Sequence, residues 1–155
     1  MVVIQKLDRN FLLDRITEFI RIDENIPFDP TWAEENFTVD LPGKWKHSFV
    51  ALEGARVIGF AIASVRDIDD RTCGYLHRIA ISRDFQNKGV GGMLIEALEE
   101  SLREAAIDLL FCSTNEKNVM AQEFYDAMGF NKSGSRDIQG HKRDLYEKNM
   151  NKEVA

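Results

Sequence analysis

The sequence is poor in several things, and each shortage removes a class of answer. Its 155 residues include two cysteines, three prolines and three histidines. Cys73 and Cys112 lack any metal-like spacing, and they read as reduced thiols in buried strands of a cytosolic protein. His47, His77 and His141 are scattered, so no metal site is expected. Basic residues are outnumbered, with 20 Lys and Arg against 26 Asp and Glu and a net charge of -6. That argues against a nucleic-acid partner, which needs a basic face. The acidic balance is compatible with a cationic acceptor and equally with plain solubility. The longest apolar run, Val57 to Val65, is broken by Gly59 and Ser64 and is too short for a bilayer. The start lacks a basic stretch followed by a long apolar one, so neither a signal peptide nor a membrane partner is expected, and the expected location is cytoplasmic.

What is present centres on Leu76 to Leu94. Leu76 to Ile81 alternates like a strand. From Val90 the period becomes helical, with Val90, Met93, Leu94, Ala97, Leu98 and Leu102 on one side. Between them lies Gln86-Asn87-Lys88-Gly89-Val90-Gly91-Gly92. A strand feeding a glycine-rich helix start is a place to hold phosphate, because first-turn N–H groups point outward and the helix dipole favours an anion. A P-loop needs Lys-Ser/Thr after its last glycine, and Gly92-Met93 follow Gly91. A dinucleotide fingerprint needs glycine two places before Gly89, and Asn87 stands there. Taken alone, the stretch also fits a strand-to-helix turn that binds nothing.

The rest of the chain reads as an α/β domain over residues 1–150, with a frayed tail over 151–155. Val2 to Leu7 is a strand, and Asp8 caps a helix running to about Asn25. A second helix is expected from Thr31 through Phe37. Phe28, Trp32 and Phe37 either pin that helix on the sheet or wall an acceptor site. Ser48 to Leu52, Arg56 to Val65 and Thr72 to Ile81 form an antiparallel meander, with Asp67 to Asp70 as a solvated tip. Leu109 to Thr114 is a buried strand, parallel to its neighbour across a right-handed crossover. A helix over Glu116 to Met128 and strands over Phe130 to Arg136 and Arg143 to Tyr146 complete the chain. In that helix Asn118, Ala121 and Tyr125 share one face, and Met120, Phe124 and Met128 make an apolar stripe for the core.

Two motifs carry a resemblance. Gln86-x-x-Gly89-x-Gly91 resembles the acyl-CoA motif of the GNAT superfamily of N-acetyltransferases, and Asn118-x-x-Ala121-x-x-Phe124-Tyr125-x-x-x-Gly129-Phe130 is similar to that family's second signature. The resemblance implies a GNAT fold with a mixed, mostly antiparallel sheet flanked by helices. It implies transfer of acetyl from acetyl-CoA to a primary amine, by direct attack within a ternary complex and with no metal. The acceptor would be a protein N-terminus or a small-molecule amine. Backbone groups of Ile79, Ala80 and Ile81 would meet pantetheine. Those of Gln86, Asn87, Lys88, Gly89, Val90, Gly91 and Gly92 would meet pyrophosphate, with the Lys88 charge nearby. Asn118 would hydrogen-bond the cofactor arm, and Tyr125 would protonate the departing thiolate. A homodimer is compatible with the resemblance, though no residue is assigned to it.

The sequence departs from the family where a base is needed. Many relatives carry Glu at the position of Tyr75, and no carboxylate stands between Thr72 and Ile81. His77 shares the strand face with Tyr75 and Ile79 by alternation and has a suitable ordinary pKa. It is equally a hydrogen-bonded strand histidine. A water chain, Asp23 or Glu24 are the other options. The missing carboxylate also supports an alternative, a non-catalytic CoA-binding regulatory module.

Overall fold

The computed structural model describes residues 1–151; of the tail expected to fray, 152–155 lie outside the described residues. The chain builds one seven-stranded sheet from β1 (Val2–Lys6), β2 (Phe49–Glu53), β3 (Arg56–Ile68), β4 (Arg71–Ile81), β5 (Leu109–Asn115), β6 (Asn131–Ile138) and β7 (His141–Asn149). The order is β1-β2-β3-β4-β5-β7-β6. Every neighbour is antiparallel except β4 and β5, as a crossover helix between them requires. That helix is α5 (Val90–Glu104). Before β2 come α1 (Arg9–Asp14), α2 (Ile16–Asp23), α3 (Glu34–Thr38) and α4 (Lys44–His47), and α6 (Val119–Ala127) follows β5.

Each face of the sheet has its own core. Leu94, Ile95, Leu98 and Leu102 of α5 bury their apolar stripe against Ala61, Ala63, Leu76 and Leu110. On the other face Leu12, Phe19 and Phe37 pack on Val50, Phe60 and Ile62. Phe60 meets Phe19 at 5.4 Å and Phe37 at 5.5 Å between ring centroids. Each buried side chain of this size contributes about 1.5–3 kcal/mol of transfer free energy.

Tertiary packing redraws several expected boundaries. Asp8 does cap the first helix, accepting from Phe11 N at 2.7 Å. The helix then breaks at Arg15, whose φ of -119° is not helical, so one expected helix becomes α1 and α2. The second helix starts at Glu34 rather than after Thr31. Asn36 Oδ1 accepts from Ala33 N at 2.9 Å and so fixes the later start. Residues Lys44–His47 form the short helix α4 just ahead of β2. The acidic tip is a two-residue hairpin, Asp69 and Asp70 having φ of 50° and 63°, as a type I′ turn needs. Of the three aromatics, Phe37 is fully buried and Trp32 packs on it edge-on at 5.1 Å, so these two pin the segment. Phe28 instead stands 55% exposed.

Candidate active site

The site begins where two strands part. β4 and β5 pair only at Gly74 with Leu110 and Tyr75 with Phe111. Beyond that point β4 stays with β3 and β5 stays with β7. A cleft of about 420 Å³ opens between them. The β3–β4 register slips between Ile62 and Ala63, leaving His77 as an extra residue, and such a bulge strengthens the local twist. Ser82 N bonds to Ile58 O, so alternate residues of β4 turn their amides toward β3. Ala80 is one of these. Ile79 and Ile81 turn theirs into the gap, so Ala80 lines the cleft without offering its backbone.

The wall next along the chain is made of backbone. Arg83–Phe85 form a 3₁₀ turn, and Gln86 Nε2 reaches back to Ile81 O at 3.2 Å. Asn87 and Gly89 both take left-handed backbone, at φ 62° and 83°, which turns the chain into α5. The free first-turn N–H groups of α5 therefore face the cleft that Gly89, Val90, Gly91 and Gly92 line. Gly91 has a packing reason as well: a Cβ there would lie 2.9 Å from the Phe124 ring. Unpaired strand amides, a glycine turn and a positive helix end in one cleft fit an acyl-CoA chain with its pyrophosphate. Lys88 does not line this cleft; its ammonium sits 5.4 Å from the centroid of the Phe85 ring.

Helix α6 supplies the opposite wall. Asn118 caps it, Oδ1 accepting from Ala121 N at 3.1 Å, which leaves its amide nitrogen available to a ligand. Asn118, Ala121 and Tyr125 all line the cleft, as their spacing requires. Met120 does not join the core stripe. It is 65% exposed at the cleft edge, while Phe124 and Met128 do pack inward. The Tyr125 ring is wedged against Phe130 and Tyr146, at 5.3 Å and 5.7 Å. Burial holds its phenol pKa well above the ordinary value; the neighbouring Cys112 thiol adds to the effect and Arg143 opposes it. Cys112 is in turn pushed up to about 12 by burial, so the thiol is neutral and a poor nucleophile.

His77 lines the same cleft. It shares a face with Tyr75, the rings being 4.9 Å apart, but the bulge sends Ile79 to the α5 side, so the expected grouping with Ile79 fails. Its Nε2 is 2.6 Å from Ser64 Oγ. Burial, with Arg66 and Lys44 nearby, pushes its pKa down to about 4, so the ring is neutral at pH 7. Asp23 is excluded as a free base. Its side chain is fully buried, accepting from Arg78 Nε and Nη2 at 2.8 Å and 2.9 Å and from Trp32 N at 2.7 Å. Glu24 is exposed and lies outside the cleft.

Three functional candidates escaped the sequence reading. Arg78 carries the ion pair to Asp23 and also donates to Pro30 O at 2.8 Å. An arginine inside an apolar strand had to find a buried partner, which was the available signal. Asp29, on the loop between α2 and α3, is the one carboxylate lining the cleft among the described residues. Arg143 of β7 donates to it at 2.8 Å. Nothing in their spacing, 114 residues apart, links these two.

Comparison with known proteins agrees with this geometry. Residues 14–130 match the model of the "Acetyltransferase (GNAT) family". The [Ribosomal protein bS18]-alanine N-acetyltransferase of Salmonella typhimurium is 30% identical over 115 residues, 71% of this chain and 74% of that protein. The crystal structure of the ribosomal-protein-S18-alanine N-acetyltransferase from Escherichia coli superposes with a TM-score of 0.78 at 21% identity, over 99% of this chain and 97% of that one. A chain of the NatC complex bound to Gag peptide and CoA gives 0.82 at 15% identity, over 96% and 98%. These last two show the shared fold. With the family model spanning most of its length, the chain belongs to the acetyltransferase (GNAT) family, enzymes that transfer acetyl groups to amines.

Proposed function

We propose that the protein acetylates the α-amino group of a protein or peptide N-terminus, with acetyl-CoA as donor. The observation that carries this is the parting of β4 and β5 beside a glycine-led helix, with Tyr125 facing the same cleft. Bound there, acetyl-CoA supplies an activated acyl group and a thiolate leaving group. Backbone groups of Ile79 and Ile81, those of the Gln86–Gly92 turn and the Asn118 amide nitrogen would hold it. The acceptor assignment draws support from the relatives, which include an N-acetyltransferase acting on an alanine of a ribosomal protein.

Tyr125 is the acid in this reading. Its raised pKa keeps the hydroxyl protonated throughout the neutral range, ready to give that proton to the departing sulfur. His77 is the base. An α-amine with pKa about 8 is already about one-tenth neutral at pH 7. The nitrogen becomes far more acidic once it has attacked, so a neutral ring of low basicity suffices. The two free, buried thiols suit a reducing, cytoplasmic setting.

A thermal shift series with acetyl-CoA, CoA and NAD tests the cofactor. Ligand at 100 times its Kd adds about 2.7 kcal/mol, a rise of roughly 5–10 °C for a domain this size. A rise with both CoA compounds and none with NAD is expected. No rise with either CoA compound in a folded sample would overturn the reading.

A further inference from the structure

We infer that Asp29 and Arg143 act as a pair that recognises the α-ammonium and the first carbonyl of a peptide acceptor, and so select an N-terminus over a simple alkylamine. The inference rests on the N-terminal acceptor proposed above and names the residues that read it. Asp29 Oδ1 accepts from Arg143 Nη1 at 2.8 Å. Among the described residues, Asp29 Oδ2 has only a loose neighbour, Arg78 Nη1 at 3.9 Å, beyond hydrogen-bond range. That oxygen is open to a cation. Arg143 is fixed by Ser113, donating from Nε to Oγ at 3.0 Å and from Nη2 to the carbonyl at 3.2 Å. A guanidinium has five N–H donors, and these three contacts leave two uncommitted.

The pair therefore presents an unfilled acceptor beside unfilled donors, at the cleft mouth, on side chains only 11% and 20% exposed. Low exposure strengthens a charge-assisted bond relative to water. A peptide N-terminus carries an ammonium donor two bonds from a carbonyl acceptor, which matches that order. An alkylamine or a lysine side chain offers the ammonium with no carbonyl near it. Arg78 is neutralised by Asp23, so the one carboxylate of the cleft is not left with two unpaired cations. The Asp29 loop is also tied down by Asn115 Nδ2 donating to Phe28 O at 3.2 Å, which holds the pair at the mouth.

The test measures kcat/KM for a short peptide with a free N-terminus and for an alkylamine of similar length, in wild type, Arg143→Gln and Asp29→Asn. Bonds to charged groups of this strength discriminate by about 10–100-fold. Arg143→Gln should lower the peptide-to-alkylamine ratio by at least about tenfold, mainly through the peptide KM. Asp29→Asn should raise the KM of both amines while leaving the thermal shift with CoA in place, which also certifies folding. Arg143→Lys should recover part of the ratio. If Arg143→Gln lowers kcat/KM for the two acceptors by the same factor, the pair is a structural latch and the inference is wrong. If the wild type acetylates the alkylamine alone, the N-terminal proposal fails first, and this inference with it.

Discussion

The two walls of the cleft are built from different materials. The wall proposed to hold the donor is backbone: strand amides of Ile79 and Ile81, a left-handed Asn87 and Gly89, and the open first turn of α5. The wall proposed to meet the acceptor is side chains, held by ion pairs between segments distant in sequence: Asp23 with Arg78 and Asp29 with Arg143. A backbone wall needs glycine at fixed spacings, so it leaves a mark in the chain. A side-chain wall can be assembled from any loop and strand that folding brings together.

Chemistry can be removed from one wall without moving either. Tyr125→Phe deletes only a hydroxyl from a packed ring. It should lower kcat by about 10²–10⁴-fold, the usual range for a general acid, with the CoA thermal shift intact. Unchanged turnover in steady-state kinetics would remove Tyr125 from the mechanism. On the acceptor wall, Asp23→Ala strands the Arg78 guanidinium, whose side chain is 10% exposed. Breaking a buried pair from one side costs about 3–5 kcal/mol, readable in urea unfolding. A loss below about 1 kcal/mol would mean that the α2–α3 segment is held by its aromatics alone.

A smaller effect is expected on the donor wall from Gly91→Ala. Its new Cβ would press on Phe124 at 2.9 Å, costing about 1–3 kcal/mol and weakening CoA binding together with stability. Gly89→Ala meets nothing within 4 Å but forces a side chain onto φ +83°, a strain of about 1–2 kcal/mol. Equal effects on CoA affinity would show that backbone shape matters there more than the approach of α6. The last effect is a pH dependence. His77 has a folded pKa of about 4, below its ordinary 6.5, so the unfolded chain binds the proton more readily between these values. Stability should therefore fall as pH is lowered through that window, and His77→Gln should flatten the slope. An unaltered slope would show that His77 is not the group responsible.

The same contrast explains what could be read from the chain. The strand-to-helix motif, the Asn118–Tyr125 face, the meander and the parallel β4–β5 crossover all follow from local period and glycine placement, and the structure has them. The bulge at His77 was invisible, because alternation assumes an unbroken register. The start of α3 was missed because Asn36 caps Ala33 and outweighs the nominal cap at Thr31. Lys88 carries the expected charge, but it packs over Phe85 rather than lining the cleft. Asp29 and Arg143 left no signal, since β7 is rich in charge and one more arginine there reads as solvated surface.

One experiment bears most directly on the account: incubation with acetyl-CoA and a peptide that has both a free N-terminus and an internal lysine, followed by fragment mass spectrometry to place the acetyl group. N-terminal transfer places the acetyl on the terminal nitrogen, matched by an equal amount of released thiol. Acetyl on the lysine alone, or thiol release with the peptide unmodified, would contradict it.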